Sequence, residues 1–474
     1  MDDGSLTQYG NKSYVRAAIG SQPEGTTTFP EILKADGGVP DKSLSVVSDY
    51  RPKAKGLPYE VYYDPKYVEL ERDKLWMKEW QVAARTEDIP NVGDRIGYDV
   101  GTLSFLIVHT APNEFRAFHN TCRHRGRRLC ADKKENGDVI QCPFHGWAWK
   151  LDGKLLWVSQ SKEFPGVTDK NFSLREVKCE VWGGNIFINP DLNAEPLTKA
   201  LGVLVEHFKE FPVEDRYTAV RIKKKMRINW KLGQEAFLEP YHVIATHPSG
   251  MPMFGSIYTQ IDSWDDGHSH VNRLITPTLV PDAWVKDKVS PRVGLELFCN
   301  AYGFSPPPAN RGATVSDARM YAADCIRDRI KQESGRDQSQ YSVAYMLDMV
   351  QWFMYPNFFP WYGEGMAWWY VFTPIGNKPD ESIMEIRLTK PIPKNGPRPP
   401  AAPIIEIDFD EWGRDHPESG ILGLIMDEDM VHMEEMQRGA MAARPDSAHA
   451  VLSTYLEDRV RHFQAVYAKK MGIK

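Results

Sequence analysis

The hydrophobic rhythm of the chain changes several times. Residues 1–45, rich in Gly, Ser, Thr and Pro, keep no sustained period and predict an extended arm. From Lys66 to Trp80 the rhythm turns helical, with Val68, Leu75, Trp76 and Trp80 on one face. Between Gln81 and Pro190 short alternating runs such as Thr102–Val108 and Gly184–Ile188 are broken by Gly, Asn, Asp and Pro, the pattern of a small antiparallel β domain. Further on, the spacing predicts a helix over Leu201–Phe211, a strand over Tyr217–Asn229 and a helix over Trp230–Ala245 interrupted near Pro240. Residues 250–315 read as loop. A helix over Ser316–Gln332 follows, then aromatic strands over Gln351–Trp361 and Met366–Thr373 and a strand over Ser382–Thr389. A proline-rich linker, Pro391–Pro403, leads to a long helix over Phe409–Met441. No internal repeat is visible. The predicted fold class is α+β, divided into an arm (1–45), a helical lead-in (46–80), a small β domain (81–190) and a larger domain (191–474).

Composition narrows the class. The 474 residues carry 58 Lys+Arg against 64 Asp+Glu, a net charge of −6, with 42% hydrophobic and 26% charged residues, which is ordinary for a globular protein and excludes disorder. A pI near 6.1 gives no electrostatic footprint for nucleic acid. No apolar run approaches the ~18 residues of a membrane span. The acidic start, Met1–Gly4, has neither a positive export region nor twin arginines, so a cytoplasmic enzyme is the expectation. Six cysteines are too few for a disulfide scaffold, yet three of them fall within residues 122–142, two with a histidine close by.

That segment reads Cys122-Arg123-His124, 17 intervening residues, then Cys142-Pro143-Phe144-His145. Each half places one thiol and one imidazole on a tight turn. Four such ligands could hold tetrahedral Zn²⁺, or a [2Fe–2S] cluster with two thiolates on one iron and two imidazoles on the other. The segment continues Gly146-Trp147-Ala148-Trp149 and Asp152-Gly153. As a whole it resembles the Rieske signature of ring-hydroxylating oxygenase α subunits, and the basic Arg125-Gly126-Arg127-Arg128 between the halves matches that family too. Cys130 lies inside that basic loop but outside the motif and reads as a non-ligand, and Cys179, Cys299 and Cys325 read as small core residues.

A Rieske domain needs only about a hundred residues, so the remaining chain calls for a second function. The stretch Asn229-Trp230-Lys231, Glu235, Phe237, Glu239, Tyr241-His242 and His247-Pro248 resembles the family's mononuclear iron motif. His242 and His247 are five apart, which on a straight helix leaves them about 140° out of register, so the helix must break or end there. Two imidazoles and one carboxylate form the facial triad of non-heme Fe(II) oxygenases, with open positions for O₂. The resemblance places that carboxylate eight residues before Gln437-Arg438-Gly439, which selects Asp429, with Glu428 or Asp427 as the fallback.

The resemblance further implies a catalytic domain of the helix-grip kind, an antiparallel sheet covered by helices. It implies a ring of three α subunits, as a homotrimer or α3β3 assembly, in which Glu239 stands between His145 of one subunit and His242 of the next. The family usually has Asp at that place. The cofactors implied are a Rieske [2Fe–2S] cluster and Fe(II). The partners are O₂, a small organic substrate and an NAD(P)H reductase or ferredoxin, since no Gly-x-Gly-x-x-Gly turn is present. Arg123, Arg125, Arg127 and Arg128 could dock an acidic ferredoxin or merely pack on the cluster. The aromatic set from Trp352 to Phe372, with Met251, Met253 and Phe254, favours a bulky apolar or aromatic substrate for mono- or dihydroxylation, as in aromatic hydrocarbon catabolism. Oxidative O- or N-demethylation is the alternative. Zinc hydrolysis and pure electron transfer are the rival classes; the second would need about a third of this length.

Overall fold

The structure is a computed structural model and describes residues 6–9, 12–15, 27–37, 41–48, 50–53, 55–131, 133–444 and 448–473. Much of the expected arm lies outside those residues. Within it are a hairpin of Leu6–Tyr9 (β1) and Lys12–Val15 (β2), and a helix, Phe29–Asp36, where extended chain is expected. The helix has a local signal: the Glu31 carboxylate accepts from the Thr28 backbone N–H at 2.7 Å, and Phe29 and Ile32 are buried.

The β-rich region forms two antiparallel sheets. Six strands, Gln81–Arg85 (β3), Arg95–Val100 (β4), Leu103–Ala111 (β5), Glu114–His119 (β6), Glu176–Trp182 (β10) and Asn185–Asn189 (β11), run in the order β3-β11-β10-β6-β5-β4. Three short strands, Val139–Gln141 (β7), Ala148–Lys150 (β8) and Leu155–Trp157 (β9), make a second sheet. Leu106, Val108 and Phe118 of the larger sheet share a core with Cys122, Cys142, Trp147 and Trp149, so the thiols sit under the sheet.

The rest of the chain builds one sheet of eight strands: Arg216–Met226 (β12), Gln260–Asp265 (β13), His270–Thr276 (β14), Met349–Met354 (β15), Phe358–Tyr362 (β16), Trp368–Pro374 (β17), Ser382–Pro391 (β18) and Ile404–Ile407 (β19). The order is β13-β14-β15-β16-β17-β18-β12-β19, antiparallel except for β12 beside β19. Helices Trp230–Ala236, Ile421–Ala442 and Asp458–Met471 cover it, packing Trp230, Met430, Met433 and Phe463 against Phe353, Phe359 and Phe372. This is the predicted α+β class. Among the described residues no helix is long and apolar enough to cross a membrane.

Several element expectations change. The strand expected over Gln351–Trp361 is two strands, because the chain turns at Tyr355–Asn357, where Pro356 has no N–H to give a ladder. The segment read as loop holds the β13–β14 hairpin and a helix, Pro291–Ala301. The long C-terminal helix begins at Ile421 instead of Phe409, since Gly420 takes φ 59° and Gly413 packs against the Gly423 backbone, an approach that leaves no room for a side chain. The helix Asp458–Met471 was not anticipated, although Val460, Phe463, Val466, Tyr467 and Met471 carry helical spacing.

Candidate functional site

The two Cys/His turns are near copies. In the first, Gly126 N–H donates to Cys122 O at 3.0 Å and Cys122 N–H to Arg127 O at 2.8 Å; in the second, Gly146 N–H donates to Cys142 O at 2.9 Å and Cys142 N–H to Trp147 O at 2.8 Å. Gly126 and Gly146 both take φ 77°, the left-handed conformation that closes each loop. Cys122 and Cys142 are buried, while His124 Nδ1 and His145 Nδ1 lie 3.2 Å apart. His124 stacks on Trp147 with ring centroids 5.0 Å apart. Two inner sulfurs and two outer nitrogens on twin loops suit a Cys₂His₂ iron–sulfur cluster with its histidine iron toward the surface. Cys130 is separate: its thiol faces the Ala131 carbonyl at 3.3 Å, and burial pushes it up to about 12. Arg128 pairs with Asp99 at 3.0 Å, Arg123 donates to Asn171 O at 3.0 Å and Arg125 lies over the Phe144 ring at 5.8 Å, so these three arginines pack on the domain itself.

The second site starts from a helix that is bolted down. Asn229 caps Trp230–Ala236 by accepting from Lys231 N at 3.0 Å. Buried Glu71 takes Trp230 Nε1 at 2.8 Å, Lys231 Nζ at 2.5 Å and Tyr467 OH at 2.7 Å. The Asn-Trp-Lys motif therefore anchors the segment that carries the histidines. After Pro240 only one further turn forms, Val243–Thr246, with His242 before it and His247 after it at φ −121°, ψ 51°. Ending the helix there resolves the angular misfit of a five-residue spacing and brings the two rings to 5.3 Å between centroids.

Asp429, 6% exposed on the Ile421–Ala442 helix, faces both rings: its Oδ1 is 3.0 Å from His247 Nε2 and 3.7 Å from His242 Nε2. His242, His247 and Asp429 each offer one ligand atom within 4.8 Å of the others. Both remaining ring nitrogens meet carboxylates, His242 Nδ1 with Glu239 at 2.8 Å and His247 Nδ1 with Glu428 at 2.6 Å. That is the arrangement of metal-ligating histidines, whose second N–H is held by an acceptor. Burial opposes charge on both rings, but Glu239 and Asp429 raise His242, while Asp429 and Glu428 lift His247 to about 9. Such a concentration of negative charge suits a divalent cation in place of those protons. Of the fallback acids, Glu428 serves His247 from outside, and Asp427 caps a turn by accepting from Gly413 N–H at 2.6 Å and Arg414 N–H at 3.1 Å. The helix bearing Asp429 is locked to the histidine segment by Gln437, which accepts from Asn229 N at 2.9 Å and donates to Tyr62 O at 3.1 Å.

Beside the triad opens a cavity of about 610 Å³, lined by Phe237, Met253, Phe254, Trp361, Trp368, Tyr370 and both histidines. Of the aromatic set, Trp361, Trp368 and Tyr370 reach the cavity, and Phe353, Phe359 and Phe372 serve the core. Charges in the lining are mostly matched: Arg216 with Glu364 at 2.8 Å and Lys390 with Glu333 at 2.8 Å.

A second group of two histidines and an acid, Asp265, His270 and His462, sits at the far end of β13 and β14. Here the hydrogen bonds assign a different role. Arg459 Nε donates to Asn272 Oδ1 at 2.6 Å, so Asn272 must turn its NH₂ to His462 Nδ1, 3.1 Å away. His462 then carries its proton on Nε2, toward Asp265 at 3.4 Å, and His270 stands 3.0 Å from the same carboxylate. Burial lowers His270 to about 4, so it stands beside Asp265 as a neutral ring.

Comparison with known proteins places the two domains in a family. The Rieske [2Fe-2S] domain matches residues 79–176, and the ring hydroxylating alpha subunit catalytic domain matches residues 213–473. The glycine betaine monooxygenase oxygenase subunit of Pseudomonas aeruginosa is 31% identical over 217 residues, 46% of this chain and 48% of that one. The carnitine monooxygenase oxygenase subunit of Escherichia coli K12 is 30% identical over 194 residues, 40% of this chain and 52% of that one. The chain spans about half the length of the curated relatives it matches. Among solved structures, a quaternary ammonium Rieske monooxygenase in complex with L-carnitine superposes with TM-score 0.60 at 18% identity, covering 89% of this chain and 96% of that one. Naphthalene 1,2-dioxygenase with indole bound does so with TM-score 0.61 at 16% identity, covering 92% and 94%. The two structures share the fold.

Proposed function

The chain belongs to the ring-hydroxylating oxygenase α-subunit family, with a Rieske [2Fe–2S] domain ahead of a mononuclear iron domain, and from that premise we propose that it is the terminal oxygenase of an N-demethylating system acting on a quaternary ammonium substrate. The observation that carries this reading is the aromatic wall beside the triad. Phe237, Trp361, Trp368 and Tyr370 all line the cavity, and aromatic rings attract a cation without a carboxylate. The relatives add support, since glycine betaine and carnitine both bear a trimethylammonium group. Oxidation at an N-methyl is thus favoured over the hydroxylation of an aromatic hydrocarbon.

In this reading Cys122, His124, Cys142 and His145 hold the cluster, and His242, His247 and Asp429 hold Fe(II). When bound, these groups supply single electrons and O₂ activation. The protein's own part is positional. Glu239 and Glu428 fix each histidine so that Nε2 turns inward, the aromatic wall seats the cation, and the apolar lining excludes water. Glu239 also offers a contact to His145 of a neighbouring subunit, in a trimeric ring fed by a separate reductase or ferredoxin.

The test supplies reduced enzyme, O₂ and a surrogate reductase with two panels, trimethylammonium compounds and aromatic hydrocarbons. Formaldehyde release and loss of a methyl from the first panel support demethylation. Product from the second panel alone, with one or two added oxygens, overturns it.

A further inference from the structure

One charge behind the cavity wall has no carboxylate in direct contact among the described residues; an anion, Asp265, is reached only through Asn272 and His462. Arg459 is fully buried, and among the described residues no carboxylate pairs with it. Burial pulls its guanidinium down to about 9, so it stays cationic at neutral pH. Buried charges are normally paired, which makes this one informative.

Its Nε donates to Asn272, and its other hydrogen bond runs toward the cavity. Arg459 Nη1 donates to Gln351 Oε1 at 2.5 Å. Because arginine can only donate, the amide has one permitted orientation, and Gln351 Nε2 donates to the Tyr370 hydroxyl oxygen. Tyr370 therefore accepts on its oxygen and has its own O–H proton left to give. No protein acceptor takes it among the described residues, and Tyr370 and Gln351 both line the cavity.

We propose that the Tyr370 hydroxyl, aligned and polarised by Arg459 through Gln351, is a specificity-determining donor for a carboxylate on the substrate. A neutral acceptor would use the hydroxyl but leave the arginine uncompensated; a carboxylate uses both. Tyr370 touches the substrate, while Gln351 and Arg459 are positioning residues. The inference deepens the ammonium reading above and rests on it for the other end of the substrate, which would then be an ammonium carboxylate.

The rival cation is Arg329, which lines the cavity, stacks on Phe304 at 3.6 Å and donates to Tyr302 O at 2.7 Å. Three probes separate the possibilities by calorimetric binding to the metal-loaded holoenzyme: glycine betaine, its carbon isostere 3,3-dimethylbutyrate, and choline, which lacks the carboxylate. Tyr370→Phe is expected to weaken both carboxylates at least tenfold and leave choline within twofold. Arg459→Met should do the same, with partial recovery in Arg459→Lys. Loss of binding to betaine and choline, with the isostere still discriminated by Tyr370→Phe, would sink the ammonium reading and keep the clamp. The proposal is overturned if Tyr370→Phe leaves both carboxylates unchanged, if neither carboxylate binds the wild type, or if Arg329→Met alone abolishes the discrimination.

Discussion

Both carboxylate oxygens of Glu239 are committed to His242: Oε1 stands 2.8 Å from Nδ1, and Oε2 accepts the backbone N–H at 3.0 Å. The longer side chain, where the family usually carries Asp, folds back over the turn and sets the imidazole tautomer. Each oxygen still has a free lone pair, so a donor from a neighbouring subunit can be added without breaking either bond. Glu239→Gln should keep both metals and lower turnover by ~10- to 100-fold or more, the usual loss when the partner of a ligating histidine is changed. Normal turnover with intact metal content would remove Glu239 from the electron route.

Asp429→Ala is expected to lose the mononuclear iron and keep the cluster. Metal analysis would fall by one iron per chain while the visible spectrum and the EPR signal of the reduced cluster persist. Glu428→Gln removes only the outer partner of His247, so it should weaken iron binding without abolishing it. Equal loss in both variants would reassign the third ligand.

Gln437→Leu strips the lock between the Asp429 helix and the histidine segment, stranding Asn229 N–H and Tyr62 C=O. Two unsatisfied buried groups predict a loss of about 2–4 kcal/mol, read by denaturant unfolding, together with weaker iron retention. An unchanged midpoint would mean that water replaces the amide.

Glu235 supplies a pH prediction. Burial raises it to about 7 from 4.5, against Tyr62 OH at 3.0 Å and the Lys231 charge, with Glu457 adding repulsion. An acid with a raised folded value carries no penalty below about 4.5, and its cost grows as pH rises through 7, to roughly 3 kcal/mol. Glu235→Gln removes the titration, so its melting temperature relative to wild type should improve between pH 5 and pH 8. A pH-independent difference would show that the carboxyl is solvated in solution.

The legible parts of the molecule were short-range ones. Cys122, His124, Cys142 and His145 lie on two turns of similar backbone, each closed by a left-handed glycine, so both ligand types and loop shape are written within 25 residues. His242 and His247 were legible for the same reason, with Pro240 and Pro248 marking the break. The helix Asp458–Met471 escaped although its apolar spacing was present, because charged residues interrupt it and its buried face includes Arg459, His462 and Gln464, which read as a solvated surface.

By itself the sequence determined which residue types could hold metal and that two metal sites share one chain. The family spacing selected Asp429 from the sequence, but only the tertiary structure brings it to the histidines, since Asp429 and His247 are 182 residues apart and three consecutive acids on one helix differ only in the side they present. It also decided that Arg459, 108 residues from Gln351, stands behind a cavity wall with no carboxylate paired to it among the described residues. Such meetings depend on how a helix is rotated and seated on a sheet, which is set by packing across distant segments, and local periodicity carries no record of it.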